Sequence, residues 1–121
     1  MSLTIGVDER DNLAVVSVDG ELDLATAPDL AAAIDGQVAE GRVQIVLDLT
    51  ALSFCDSAGL RVFVRYRRQL EEIGGRFVVA APSPMVRRVL EISGLAEMFG
   101  SYATVDEAVE ALSSGPLPAG G

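Results

Sequence analysis

The first part of the chain alternates apolar and polar positions in the way that a half-buried β-strand does. Leu3, Ile5 and Val7 recur at every second residue, and the turn-forming segment ERDN follows them. An apolar run, LAVVSV, then resumes, so residues 3–18 are predicted to form a β-hairpin. The segment DGELDLAT comes next, carries three acids and is predicted to be a loop.

Beyond this loop, apolar residues recur at the three- and four-residue spacing of amphipathic helices. Four helices are predicted, and they begin near Thr26, Ser57, Ser83 and Thr104. For the first helix, the spacing of Thr26 and Asp29 is close to that of a capping box, so Thr26 is expected to cap it. The predicted inward face of the second helix consists of Leu60, Phe63, Val64, Leu70 and Ile73.

Between the helices lie apolar segments rich in β-branched residues, VQIVLDL and RFVVAA, which are typical of strands covered on both faces. The segment SYA adds a short last strand. This order predicts a single α/β domain, in which an N-terminal hairpin leads into a mixed, mostly parallel sheet of about four to five strands with about four helices. The domain is expected over residues 1–112, followed by a flexible tail over residues 113–121.

Composition and charge narrow the classes of function. Half of the 121 residues are hydrophobic and 22% are charged, which favours a compact fold. No apolar run approaches the roughly 20 residues of a membrane-spanning helix, and the N-terminus lacks the pattern of a secretory signal. A cytoplasmic protein without a membrane partner is therefore expected. Nine acids and one base over residues 1–40 argue against a nucleic-acid partner, and they serve either solubility or the binding of a basic protein.

The chemistry that the sequence offers argues against an enzyme. Because the chain has no histidine, neither a Ser-His-Asp triad nor a Cys-His pair is available. The single cysteine, Cys55, ends an apolar segment and is expected to be a packed hydrophobic side chain. No metal-ligand spacing, phosphate-binding loop or dinucleotide fingerprint is present in the sequence, so neither a metal nor a cofactor is expected.

Asp56 and Ser57 stand where an apolar segment gives way to the second predicted helix. In one interpretation, one of them only caps the helix, because its side-chain oxygen accepts a bond from a backbone N–H of the first turn. In the other, a serine at a strand-to-helix junction is exposed enough to be phosphorylated, which would add about 1.5 to 2 negative charges to a docking surface. The residues alone leave both interpretations open.

Three segments, LDLTALSFCDSAGL, GELDLATAP and GGRFVVAAPSPMVRRVLEISGL, together resemble the anti-sigma factor antagonist family, whose proteins have the STAS fold. The resemblance extends over residues 3–112. It implies that Ser57 is phosphorylated by a partner anti-sigma factor that is also an ATP-dependent serine kinase. It further implies that the unphosphorylated protein binds this partner and so frees a sigma factor, and that a metal-dependent serine phosphatase restores binding after phosphorylation.

The resemblance also implies a partner-docking surface around Ser57, made of Glu21, Asp23, Thr26, Asp56, Gly59 and Leu60. Arg61 stands where many relatives have a small residue, and it is expected beside this surface, where it would influence partner choice. Ala58 leaves Ser57 as the only hydroxyl of the motif. The alternative functions within the same fold are a nucleotide-binding regulator and a scaffold in a stress-signalling assembly.

Overall fold

The computed structural model describes residues 2–113, and in this range the chain forms a six-stranded sheet and four α-helices. In chain order the elements are β1 (Leu3–Arg10), β2 (Leu13–Leu22), α1 (Ala27–Ala39), β3 (Gln44–Asp48), β4 (Leu52–Cys55), α2 (Ser57–Glu72), β5 (Arg76–Ala80), α3 (Pro84–Ile92), a short 3-10 helix (Leu95–Glu97), β6 (Gly100–Tyr102) and α4 (Val105–Ser113). The predicted α/β order, a hairpin followed by alternating helices and strands, is confirmed.

The sheet is mixed and mostly parallel, as predicted. β1 and β2 form the antiparallel hairpin, and β2, β3, β5 and β6 follow one another as parallel neighbours. β2 is long enough to pair with two strands on one side, because its first half pairs with β3 and its last residues pair with β4. The register shifts between Gly20 and Glu21, where the second pairing begins. The ends of β2 and β4 therefore lie side by side.

Two features of this region differ from the sequence prediction. β2 continues through Leu22, so the first part of the predicted acidic loop is strand and Glu21 lies within it. β4 was not predicted. With it the sheet has six strands, where four to five were predicted. Both differences have one physical cause: the four residues of β4 have no apolar period of their own, and their extended form depends on pairing with β2 about 30 residues earlier.

The helices are divided between the two faces of the sheet. α1, α2 and α3 cover one face, where Val16, Ile45 and Leu47 are buried together with their apolar residues. α4 covers the other face, where Val15 and Val46 pack against Ala108. Successive residues of a strand point to opposite faces, so burial on both sides explains the continuous apolar runs of the inner strands.

The inward face of α2 differs in part from the predicted one. Phe63 and Leu70 are fully buried as expected, but Ile73 is 56% exposed, so its prediction as an inward residue is wrong. Ile73 caps the C-terminus of α2, where the chain turns away into Gly74. Tyr66, which is not part of the predicted inward face, is buried in the core. Its hydroxyl donates to Asp35 Oδ1 at 2.6 Å. Leu60 and Val64 lie half-buried at the edge of the core.

Side-chain caps begin three of the four helices. Ser83 Oγ accepts from the N–H of Val86, and Thr104 Oγ1 accepts from the N–H of Glu107, as predicted for α3 and α4. The cap of α2 is described with the site below. α4 extends through Ser113, one residue past the expected end of the domain, and the rest of the predicted tail lies outside the described residues.

Candidate functional site

Asp56 is the residue that caps α2. Its Oδ1 accepts from the backbone N–H of Ala58 at 2.9 Å and from that of Gly59 at 3.1 Å, which satisfies two free donors of the first helical turn. Its own N–H donates to Leu22 O at 3.1 Å and ties the cap to the end of β2. The cap interpretation therefore applies to Asp56, and it leaves the hydroxyl of Ser57 uncommitted.

Ser57 is the first residue of α2 and is exposed. Within residues 2–113, no hydrogen bond of its side chain to another protein group is observed. A partner can therefore reach the hydroxyl without first breaking an internal contact. The position combines a fixed backbone, set by the cap and by the end of β4, with a free nucleophilic oxygen.

The connection between β2 and α1 is held by a compact set of hydrogen bonds. Asp23 Oδ1 accepts from the N–H of Ala25 at 2.9 Å and from that of Thr26 at 3.0 Å. The Thr26 hydroxyl donates to Glu21 O at 2.9 Å, and its oxygen lies 2.9 Å from the N–H of Asp23, from which it accepts. Thr26 makes no side-chain cap to α1, so that prediction is wrong. Its hydroxyl is used to close the preceding loop, because Thr26 is buried against Glu21 and Asp23.

Pairing of β2 with β4 brings the two predicted parts of the site together. Glu21 lies opposite Phe54, and Leu22 lies opposite Cys55, so the loop after β2 and the start of α2 share one edge of the sheet. Gly59 permits this approach. A Cβ atom at that position would lie 2.7 Å from Leu22 Cγ and 2.9 Å from Cys55 Sγ. Gly59 is buried, so it shapes the junction from beneath the surface around Ser57.

Two grooves flank the exposed side of α2. One, of about 510 Å³, runs from Ser57 past Leu60 to Leu95 beside the short 3-10 helix. The other, of about 440 Å³, lies between α1 and α2 and is bounded by Leu24, which is 74% exposed. Arg61 and Arg65 line both grooves and form the ridge between them. Leu60 and Arg61 therefore line the same groove as Ser57.

Leu24 was not singled out from the sequence. It stands in the acidic segment DGELDLAT, whose other leucine, Leu22, is buried in β2. The available signal was a leucine within an acidic segment, next to Asp23 of the predicted docking surface. A single exposed apolar side chain is ordinary on a protein surface, so it is the position of Leu24 at the groove between α1 and α2 that connects it with the site.

Charge is divided across the site. Asp23 directly follows β2, and Asp56 directly follows β4. Arg61, Arg65 and Arg68 follow one another along α2. Arg67 pairs with Glu71 within the helix at 3.4 Å. No ion pair is observed between Arg61, Arg65 or Arg68 and any carboxylate in the part of the chain that the structure describes. These three guanidinium groups therefore form a basic row in an otherwise acidic chain, which has a formal net charge of -9.

Comparison with known proteins places this fold in a family. The family model for the STAS domain matches residues 4–108. The chain belongs to the STAS domain family. The resemblance inferred from the three sequence segments is thereby confirmed, and the arrangement of strands and helices around Ser57 is that of a STAS domain.

The relatives of this STAS domain include proteins of one regulatory class. It is 32% identical over 116 residues to the anti-sigma-F factor antagonist RsfB of Mycobacterium tuberculosis. The aligned residues cover 96% of this chain and 94% of RsfB. An anti-sigma factor antagonist from Mycobacterium paratuberculosis has 38% identity and a TM-score of 0.83, with 93% and 95% of the two chains covered.

A third relative has been solved in two chemical states. The anti-sigma factor antagonist SpoIIAA of Bacillus, in its unphosphorylated form, has 29% identity and a TM-score of 0.79, with 92% of this chain and 97% of that chain covered. SpoIIAA has also been solved in its phosphorylated form. The named homologues of this STAS domain are thus regulatory proteins, and one of them is a phosphoprotein.

Within residues 2–113, no group of three or more histidine, cysteine or acidic side chains is placed to hold a metal ion. In the same range, every helix is too short or too polar to cross a lipid bilayer.

Cys55 is buried at the end of β4, as the sequence predicted. Burial, and secondarily the negative charge of Asp56, raises the pKa of the Cys55 thiol to about 12. At neutral pH the sulfur is therefore protonated and is a poor nucleophile, because the thiolate is the reactive form.

Alkylation of Cys55 in the folded STAS domain is expected to be more than about 100-fold slower at pH 8 than in the chain unfolded in guanidinium chloride. Both burial and the raised thiol pKa favour this result. Iodoacetamide labelling followed by intact-mass analysis measures it, and the unfolded chain supplies the control rate. Equal rates in the two states would show that the sulfur is accessible and ionised, contrary to its position at the end of β4.

Proposed function

We propose that this STAS domain is an anti-sigma factor antagonist and that phosphorylation of Ser57 switches its binding to an anti-sigma factor. The observation that carries the proposal is the exposed, uncommitted hydroxyl of Ser57 at a helix start that is already capped by Asp56. A phosphate can be added there without removing the cap. The names of the relatives, and the two forms in which SpoIIAA has been solved, support the same role.

In this proposal the unphosphorylated domain binds the anti-sigma factor and so frees a sigma factor. The docking surface combines the loop after β2 with the start of α2, and we assign to it Glu21, Asp23, Asp56, Leu60 and Arg61. Leu24 adds an exposed apolar side chain at its edge. Thr26 and Gly59 contribute by shaping the loop and the junction, since both are buried. A nucleic-acid or membrane partner has no part in the proposal, and the cytoplasm is its proposed location.

The anti-sigma factor is proposed to be a serine kinase as well. Ser57 Oγ attacks the γ-phosphorus of ATP, and the bond between that phosphorus and the β,γ-bridging oxygen breaks as the new O–P bond forms. The hydroxyl proton passes to a base of the kinase, and ADP leaves. A serine phosphatase reverses the modification by transferring the phosphoryl group to water, and a proton returns to Ser57 Oγ.

Phosphorylation is proposed to end binding by changing the charge and bulk of the docking surface. The phosphate adds about 1.5 to 2 negative charges next to Asp56. A like charge placed at a complementary interface opposes association strongly, because it must be desolvated without a partner. The role of this chain is regulatory rather than catalytic, with Ser57 as the substrate of another enzyme.

Incubation with ATP and the cognate kinase-type anti-sigma factor is expected to add one phosphoryl group, located on Ser57. Intact-mass and peptide mass spectrometry measure both the number and the site. Ser57→Ala is expected to accept none. Ser53→Ala is the matched control, because Ser53 is also exposed and lies four residues away in β4, and it is expected to be modified as fully as the unaltered chain. A phosphate on any other residue contradicts the proposal.

A further inference from the structure

The first turn of α2 has few free donors for a phosphate on Ser57. The N–H groups of Ala58 and Gly59 already donate to the Asp56 carboxylate. The N–H of Leu60 donates to Asp56 O at 3.1 Å. The anion that a helix N-terminus attracts is therefore in place before any phosphorylation, and its charge repels a second anion beside it.

Arg61 lies one helical turn beyond Ser57 and lines the same groove. A residue four positions on is displaced by about 6 Å along the helix axis and about 40° around it. Side chains of a helix tilt toward its N-terminus, so the side chain of Arg61 is long enough and suitably directed to reach a phosphate on Ser57. An anion at position i with a cation at position i+4 is also the favourable orientation for a helical ion pair.

The guanidinium of Arg61 is available for this contact. Arg61 is exposed, and among the described residues it has no ion pair or side-chain hydrogen bond. Arg65 is less well placed, because it is two turns from Ser57 and its guanidinium lies 5.0 Å from the centroid of the Tyr66 ring. Arg68 lies on the same side of the helix as Ser57, about 20° around it, but about 16 Å along the axis.

We propose that Arg61 holds the phosphate of phosphorylated Ser57 through charge-assisted hydrogen bonds from its guanidinium group. This inference rests on the proposed phosphorylation of Ser57. The phosphate supplies the acceptor oxygens, and the planar guanidinium supplies two donors that suit bidentate contact. Arg61 is a positioning residue in this role, and it offsets the repulsion between the phosphate and Asp56.

Such a contact changes the docking surface in two ways at once. The phosphate adds negative charge at Ser57, and the ion pair withdraws Arg61 from the ridge between the two grooves. A partner that binds this end of the ridge then no longer finds a free guanidinium at Arg61, and it faces a phosphate at Ser57. One modification can in this way abolish docking without a change in the fold of the STAS domain.

The test uses the full chain with phosphoserine inserted at position 57 during translation, so that it does not depend on any kinase. Titration by phosphorus NMR gives the second pKa of the phosphate, which is about 6 for free phosphoserine. A nearby cation stabilises the dianion and lowers this pKa. Arg61→Gln is therefore expected to raise it by about 0.2–0.7 pH unit relative to the phosphorylated parent chain.

Arg68→Gln is the matched control, because it removes the same charge from the same groove at a greater distance. It is expected to move the phosphate pKa by less than about one third of the Arg61→Gln shift. Arg61→Lys, which keeps the charge, is expected to leave the phosphate pKa close to that of the phosphorylated parent chain. An unchanged pKa in Arg61→Gln, or equal shifts in Arg61→Gln and Arg68→Gln, would overturn the proposal.

This experiment separates the two proposals. Failure of a kinase-type anti-sigma factor to phosphorylate Ser57 counts against the proposed function and leaves the phosphorus NMR result unaffected. Equal phosphate pKa values with and without Arg61 count against the ion pair and leave phosphorylation of Ser57 intact.

Discussion

Ser57→Asp is expected to abolish capture of the cognate anti-sigma factor, with a loss of affinity of at least about 100-fold. The carboxylate stands in for part of the phosphate charge, next to the carboxylate of Asp56 that caps α2. Binding must then remove water from two adjacent carboxylates, although the partner surface accommodates only that of Asp56. Calorimetry or surface plasmon resonance with the purified anti-sigma factor measures the loss.

Three variants separate charge from shape in this experiment. Ser57→Asn has the size of aspartate without its charge, and it is expected to lose less than about 10-fold in affinity. Ser57→Ala is expected to bind and to resist release when ATP is added. Ser53→Asp adds the same charge at an exposed position of β4 and is expected to bind nearly as tightly as the parent chain. Undiminished binding of Ser57→Asp would remove the basis of the phosphorylation switch.

Gly59→Ala is expected to destabilise the domain by about 1–2 kcal/mol, although alanine is the better helix former. The added methyl group would lie within 3 Å of Leu22 Cγ and of Cys55 Sγ, so α2 must move away from the ends of β2 and β4. The cost of such overpacking, about 1–3 kcal/mol, exceeds the gain in helix propensity. Chemical denaturation with urea measures the free energy of unfolding.

Gly36 in α1 provides the matched control for this substitution. It is exposed, lies within a helix, and has no neighbouring atom within 4 Å of an added Cβ. Gly36→Ala is therefore expected to stabilise the domain by about 0.5–1 kcal/mol. The two substitutions are chemically identical and should have opposite signs. If both substitutions stabilise the domain, the expected clash of a Cβ atom at position 59 with Leu22 and Cys55 is wrong.

Local patterns in the sequence were sufficient for much of the fold. The alternation of Leu3, Ile5 and Val7 predicts β1, and hydroxyl caps predict where α3 and α4 begin. These features depend on residues that are close in the chain, so the sequence of one short segment is enough to predict each of them. The cap of α2 was located to within one residue, and the structure assigns it to Asp56.

Long-range contacts set the parts that the sequence could not predict. β4 is a strand because of its pairing with β2, and the extension of β2 through Leu22 depends on the same pairing. Thr26 has the sequence spacing of a helix cap, but its hydroxyl oxygen accepts from a competing donor, the N–H of Asp23, and not from the first turn of α1. Ser57 was predicted through a family resemblance, because a D-S pair before a helix is in itself more often a simple cap.

The position of α4 determines how this domain can be attached to other objects. α4 packs on the face of the sheet opposite α1, α2 and α3, so the sheet separates it from Ser57. A dye, a bead linker or a fused protein joined at exposed Asp106 would point away from the groove along α2. Immobilisation through that side therefore presents every molecule to a kinase or an anti-sigma factor in the same productive orientation.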